Sequence, residues 1–313
     1  MKKKNRIILF TFAVVVLPIV ISLVAFYQPD IPVEQLKEKY ATGSSQFIPL
    51  RGMNVHFRDE GPSNDSIPLV LLHGTSSSLL TWNACSKEWS KDHRVIRMDL
   101  PGFGLTGPHP ENDYSIEAYV TFLKDFFRER NISQCYLAGN SLGGLIAFHF
   151  AAAYPEKVKK VILIDPAGYP IQNAKGTLAF TLGRIPVLKN LLTVITPISI
   201  VRKSLEDVYG NKHLVTDELV EQYRDMACRE GNRDALISRL QEEQAGDTTV
   251  VSKLTMPAMI IWGSLDQLIP VDHAYKFQRD LPRDTLIILS DVGHVPMEET
   301  PEKVIPLVNQ FIK

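Results

Sequence analysis

The feature that most constrains this chain is its rhythm of short apolar runs and longer stretches with helical spacing. Gln46–Leu50 and Met53–Asp59 flank Arg51-Gly52 and read as a hairpin. Ile67–Leu72 is an unbroken apolar run, as a strand buried on both faces requires. Arg94–Leu100, Gln134–Gly139 and Val161–Asp165 are similar, and Ala258–Trp262 and Leu286–Leu289 follow near the C-terminus. Between them, Ser115–Glu129 carries Ile116, Tyr119, Val120, Leu123, Phe126 and Phe127 at helical spacing, Leu142–Tyr154 reads as helix, and Pro301–Ile312 closes the chain as another. Strand, helix, strand in repetition implies an α/β fold. Its mostly parallel, eight-stranded sheet is covered by helices on both faces.

One stretch breaks the rhythm. From Gly168 to Ser252 there are helical patterns but no convincing strand, and Thr177–Leu205 is strongly apolar, interrupted by Pro186 and Pro197. An insertion here would sit over the strand ends as a helical cap. The expected organisation is residues 1–30 as membrane anchor and linker, 31–167 as the first part of the core, 168–252 as the cap, and 253–313 as the second part of the core.

The N-terminus follows a different logic. Lys2, Lys3, Lys4 and Arg6 precede Ile7–Tyr27, an uncharged apolar run of 21 residues. As a helix it would span ~31 Å, the thickness of a hydrocarbon core. It is longer than the apolar region of a signal peptide and lacks an Ala-x-Ala site. It therefore reads as a single-pass anchor with its basic end in the cytoplasm and the rest of the chain extracytoplasmic. The alternative is secretion after signal cleavage. Gln28-Pro29-Asp30-Ile31-Pro32 reads as a stiff linker, and Val33, Leu36 and Tyr40 share a helical face that packs on the domain or lies on a membrane.

A formal net charge of −1 offers no electrostatic footprint for nucleic acid. Cys85, Cys135 and Cys228 form no metal-ligand spacing and read as free thiols, with one disulfide open if the domain is exported. No metal and no organic cofactor is called for.

The chemistry gathers around Gly139-Asn140-Ser141-Leu142-Gly143. A strand precedes it and a helix follows, so Ser141 falls on a sharp strand-to-helix turn that exposes its hydroxyl at a helix N-terminus. The hydroxyl needs a base to take its proton. The order for such a turn is Ser, then an acid, then His. His294 in Asp291-Val292-Gly293-His294 follows a strand and is the candidate base. Asp266 after Trp262 is the candidate acid, with Asp165, at the end of another strand, as competitor. Asp291 would have to fold back, Asp99 reads as a turn former, and His73, His149 and His273 read as structural. The backbone N–H groups of Leu142 and Thr75, the latter in His73-Gly74-Thr75-Ser76, are the candidate oxyanion donors.

Taken together, LHGTSSSLLTW, MDLPGFGLTGP, LAGNSLGGLIAFHFAAAYPEKV, LIDPAGYP, IIWGSLDQLIP and VGHVPMEETPEKV resemble the α/β-hydrolase superfamily from about Ala41 to Lys313. The resemblance implies Ser141, Asp266 and His294 as a triad, with a helical cap between strands six and seven. Haloalkane dehalogenases and epoxide hydrolases of this fold use an aspartate where Ser141 stands. Carbon–carbon bond hydrolases carry a similar GNS-x-GG turn, but usually a Trp after the histidine, where this chain has Val295. Monoacylglycerol lipase-like members are similar in having a cap and a membrane attachment. The resulting expectation is a serine esterase acting on an apolar, lipid-like ester. The alternatives are a carbon–carbon bond hydrolase and a ligand-binding protein that retains the triad.

Overall fold

The computed structural model describes residues 27–171, 194–242 and 246–313. The expected anchor run lies outside the described residues except for Tyr27, as does the apolar stretch 177–193 of the insertion. Among the described residues, no helix is long and apolar enough to cross a membrane.

After a short helix α1 (Val33–Tyr40) come β1 (Ser45–Leu50), β2 (Met53–Glu60) and β3 (Leu69–Leu72). Helix α2 (Asn83–Trp89), β4 (Val95–Met98), α3 (Ile116–Glu129), β5 (Cys135–Asn140), α4 (Leu142–Ala153) and β6 (Val158–Ile164) follow. Helices α5 (Ile198–Val208), α6 (Asp217–Cys228) and α7 (Asn232–Gln241) separate β6 from β7 (Ala258–Gly263). The chain ends with α8 (Asp272–Asp280), β8 (Asp284–Leu289), α9 (Pro296–Glu299) and α10 (Pro301–Ile312). The eight strands form one sheet in the order β1-β2-β4-β3-β5-β6-β7-β8. β2 runs antiparallel to both of its neighbours, and every other pair is parallel.

Strand periodicity divides the core. Val70 and Leu72 join Phe57, Phe126, Leu145 and Trp262 on one face of the sheet. Leu69 and Leu71 join Trp82, Trp89, Ile261, Val304 and Val308 on the other. A strand with two covered faces must be apolar at every position, which is why β3 and β7 are buried throughout. Helix α3 begins where the Ser115 hydroxyl accepts the Ala118 N–H, and it buries Tyr119, Phe122, Leu123, Phe126 and Phe127.

Two strand boundaries differ from the sequence expectation for physical reasons. β3 starts at Leu69 rather than Ile67, because Pro68 has no N–H to give to the ladder. β6 starts at Val158 rather than Val161, and Lys159 and Lys160 sit inside it. Their ammonium groups reach the rings of Tyr136 and Phe311, so the polar pair does not end the strand.

The N-terminal segment is tied to the insertion. Tyr27 bridges Ile195 and Ile31 bridges Arg229. Asp30 pairs with Arg233 at 2.6 Å, and Lys39 reaches Glu221 at 2.6 Å and Asp225 at 2.8 Å. Leu36 is buried with Leu79, Leu80, Leu105 and Met226, so α1 packs on the domain at the seam between core and insertion. All three cysteines are buried and free.

Candidate functional site

Ser141 sits between β5 and α4 with φ 54° and ψ −117°, a conformation an L-residue adopts only under constraint. The turn is held from both sides. The Ser141 N–H donates to Ile164 O at 3.1 Å, while its carbonyl accepts the N–H groups of Leu145 and Ala167, each at 3.0 Å. Gly143 has no room for a side chain, since a Cβ there would lie 2.3 Å from Leu72 O. Leu142 is the first helical residue, so its N–H has no acceptor inside α4.

The candidate base and acid meet. His294 Nδ1 and Asp266 Oδ2 are 2.6 Å apart, and both side chains are buried. The other Asp266 oxygen, Oδ1, accepts the N–H groups of Leu268 at 2.8 Å and Ile269 at 2.9 Å, which fixes the carboxylate in its loop. With Nδ1 engaged by a carboxylate, the imidazole carries its proton there and presents Nε2 as an acceptor. That Nε2 is shut off from water and has no hydrogen-bond partner among the described residues. Asn140, adjacent to Ser141, donates its carboxamide to His294 O at 2.9 Å and Ile164 O at 3.1 Å, linking the serine turn to the histidine loop.

Asp165 ends β6 with φ 42° and is fully buried. Its Oδ1 accepts the Gly263 N–H at 2.9 Å. Burial, and then the negative charge of Asp266, push its carboxyl well above the usual carboxylate range. Asp165 therefore stands beside Asp266 with its carboxyl biased toward the protonated form, and no hydrogen bond joins it to His294 among the described residues. Single ligand atoms of Asp165, Asp266 and His294 lie within 4.8 Å of one another, a density that could hold a cation. Such an ion would have to displace the Asp266–His294 bond and the N–H groups on Asp266.

The loop after β3 lies against Ser141. A Cβ at Gly74 would be 3.1 Å from Ser141 Cβ and 3.0 Å from Asn140 Oδ1, so any side chain there would press on the serine turn and force its neighbours to shift by a few tenths of an ångström. No backbone acceptor is found for the Thr75 N–H among the described residues. His73 is structural: its Nε2 accepts the Leu100 N–H at 2.9 Å, its Nδ1 donates to Gly74 O at 2.8 Å, and burial lowers its pKa. Asp99 organises the following turn by accepting the Leu79 and Leu105 N–H groups and pairing with His56 at 2.7 Å. His149 and His273 lie on α4 and α8, and the Asp291 side chain is exposed.

Three residues of the site escape sequence reading. Asn140 is one. Glu299 is another: its buried carboxylate accepts the N–H groups of Gly293, Gly210 and Asn211 at 2.8, 3.1 and 2.7 Å. It thus clamps the residue before His294 to the end of the insertion. Glu298 is the third. Its Oε2 accepts the hydroxyls of Tyr223 at 2.7 Å and Thr81 at 3.0 Å, and burial raises its pKa. Only the quoted stretch VGHVPMEETPEKV hinted at the two glutamates, and nothing in it separates them from surface acids.

A family model described as the alpha/beta hydrolase fold matches residues 67–301. The uncharacterized hydrolase YugF of Bacillus subtilis is 27% identical over 276 residues, covering 84% of this chain and 95% of its own. Lipase 3 of a Moraxella species is 28% identical over 250 residues, 75% of each chain. The structure of the meta-cleavage product hydrolase CumD of Pseudomonas fluorescens superposes with a TM-score of 0.75 at 24% identity, covering 86% of this chain and 97% of CumD. With the sheet order, the constrained serine turn and the matched family model in agreement, this chain belongs to the α/β-hydrolase family.

Proposed function

We propose that the chain is a membrane-anchored serine hydrolase that cleaves carboxylic esters with apolar acyl groups. The observation that carries this reading is the buried His294–Asp266 pair, its imidazole Nε2 unpartnered among the described residues, on a loop that Asn140 ties to the Ser141 turn. His294 Nε2 takes the Ser141 hydroxyl proton as Oγ attacks the ester carbonyl. The oxyanion is held by the N–H groups of Leu142 and Thr75. His294 then returns the proton to the departing alkoxide, which leaves as the alcohol. A water deprotonated by the same nitrogen releases the acid and restores Ser141. Asp266 holds the ring in the required tautomer and balances the imidazolium charge.

The apolar acyl preference is supported by Leu182, Val187, Leu188, Leu191, Leu192, Val194 and Ile195 in the insertion, read here as a cap, and by likeness to a lipase. Anchoring, with an extracytoplasmic domain, is supported by the basic residues and apolar run before Tyr27. A series of p-nitrophenyl esters and glycerides, assayed with the full-length protein and Ser141→Ala, tests the activity. The expected result is turnover that rises with acyl length and vanishes in the variant. Preference for acetyl esters would overturn the acyl assignment. Turnover of dienol-diketone acids with little esterase activity would indicate carbon–carbon hydrolysis. Vesicle flotation of the full chain tests the anchor.

A further inference from the structure

The turn that carries the candidate donor Thr75 is itself under constraint. The Ser77 N–H donates to Gly74 O at 3.2 Å, closing a tight turn with Thr75 and Ser76 at its centre. Ser76 has φ 61°, a left-handed backbone that serine adopts only at a cost. Such a residue persists where its surroundings over-determine it. Gly74, at one end of the turn, lies against Ser141, so a small shift of the turn moves the Thr75 N–H relative to the nucleophile.

The other end of the turn is held by side chains that lead to Glu298. Tyr223, on α6 of the insertion, donates its hydroxyl to Glu298 Oε2 at 2.7 Å. A phenol has one proton to give, so at Ser77 the Tyr223 oxygen accepts, and the Ser77 hydroxyl donates to it across 3.3 Å. The Thr81 hydroxyl donates to the same Oε2 at 3.0 Å. The Tyr209 hydroxyl faces this carboxyl as well. Glu298 in turn is fixed close to the candidate base. It lies on α9, four residues after His294, and its N–H donates to Val295 O at 2.9 Å. One carboxyl oxygen therefore gathers the donor loop, the histidine loop and the insertion. Oε2 can accept both hydroxyls whether or not the other oxygen carries a proton, so the junction requires an acceptor at that point rather than a charge.

We propose that Glu298 is a positioning residue for the oxyanion loop. Through the Tyr223 and Thr81 hydroxyls it sets where the Gly74–Ser77 turn, and with it the Thr75 N–H, stands relative to His294. Tyr223 makes that setting depend on the insertion. The proposal rests on the esterase reading above and deepens it. Without the junction the strained turn relaxes, and the oxyanion meets one well-aimed N–H, from Leu142, instead of two.

Tyr223→Phe, Glu298→Ala and Glu298→Gln in the full-length protein test this. Two rates are read: turnover of p-nitrophenyl hexanoate, and phosphonylation by a fluorophosphonate, whose phosphoryl oxygen calls on the same N–H donors. The end point of phosphonylation counts competent sites, so each rate is taken per site and a loss of folded protein does not enter it. Tyr223→Phe should lower kcat by about tenfold and Glu298→Ala by up to about a hundredfold, with KM within about twofold, since a misplaced donor weakens the transition state and not substrate binding. Phosphonylation should slow in the same order. Glu298→Gln, whose carbonyl oxygen can take the place of Oε2, should stay within about threefold of the wild type. Rates per site within about twofold of the wild type in both Tyr223→Phe and Glu298→Ala would overturn the proposal. So would a raised KM at unchanged kcat, which would make Tyr223 a binding contact. A loss in Glu298→Gln as deep as in Glu298→Ala would make the charge the active element and also overturn it. A wild type that is phosphonylated but hydrolyses no ester would overturn the esterase reading alone, and the phosphonylation rates then decide the junction. A wild type inert to both reagents would overturn both readings.

Discussion

Replacing Asp165 by Asn probes the carboxyl pair behind the candidate site. In the native state, burial and then the charge of Asp266 raise the Asp165 carboxyl well above the usual carboxylate range, with one oxygen accepting the Gly263 N–H at 2.9 Å. In the unfolded chain an aspartate gives up its proton near pH ~3.9. Above that pH the native state binds more protons than the unfolded state. Stability is therefore fully present below ~3.9 and is lost as pH rises toward the raised native value. The slope is ~1.4 kcal/mol per pH unit over that window. Asparagine has the shape of the protonated acid and carries no such linkage. Asp165→Asn should therefore gain on the parent by ~1.4 kcal/mol per pH unit within that window, or ~2 °C in Tm for a chain of this size. Thermal melts of the full-length protein and the variant in detergent, at pH 5, 6 and 7, measure it. A Tm difference that stays constant, or that moves against the variant as pH rises, would show that Asp165 is ionised in the fold and refute the reasoning. Ester turnover should survive the substitution, because the negative charge needed by His294 resides on Asp266.

Asp266→Asn should retain the fold, since its remaining oxygen still accepts the Leu268 and Ile269 N–H groups, but kcat for a p-nitrophenyl ester should drop by about 10⁴; a loss below tenfold would remove Asp266 from the triad. Glu299→Ala leaves the Gly293, Gly210 and Asn211 N–H groups without their carboxylate and should cost at least ~2 kcal/mol in denaturant unfolding. A change under ~0.5 kcal/mol would show the clamp to be dispensable. Ser141→Gly should melt above Ser141→Ala, because glycine adopts φ 54° without strain; equal or lower Tm would mean that the turn stores no strain.

What was legible from residues alone depended on distance along the chain. The Ser141 turn could be read because strand, glycines and helix are contiguous, and the sheet because β3 and β7 must be apolar on both faces. Asp266 and His294 could be placed at strand ends, but their 2.6 Å contact depends on how β7 and β8 lie side by side. The raised pKa of Asp165 is illegible for the same reason: it comes from burial in the assembled sheet and then from the charge of a neighbour 101 residues away in the chain. Glu299 reads like any acid at a helix end until Gly210 and Gly293 are brought to it. The linker after Tyr27 reads as a spacer, yet its Ile31 bridges Arg229, as Tyr27 before it bridges Ile195, contacts that no local periodicity encodes.

The central claim is that Ser141 is an activated nucleophile. Reaction of the full-length protein with a fluorophosphonate, followed by mass spectrometry of its peptides, tests it most directly. The account predicts one adduct, on Ser141. It should be absent from Ser141→Ala and slowed by orders of magnitude in a variant lacking the His294 imidazole. Failure of the wild type to react, or an adduct that persists in Ser141→Ala, would contradict it.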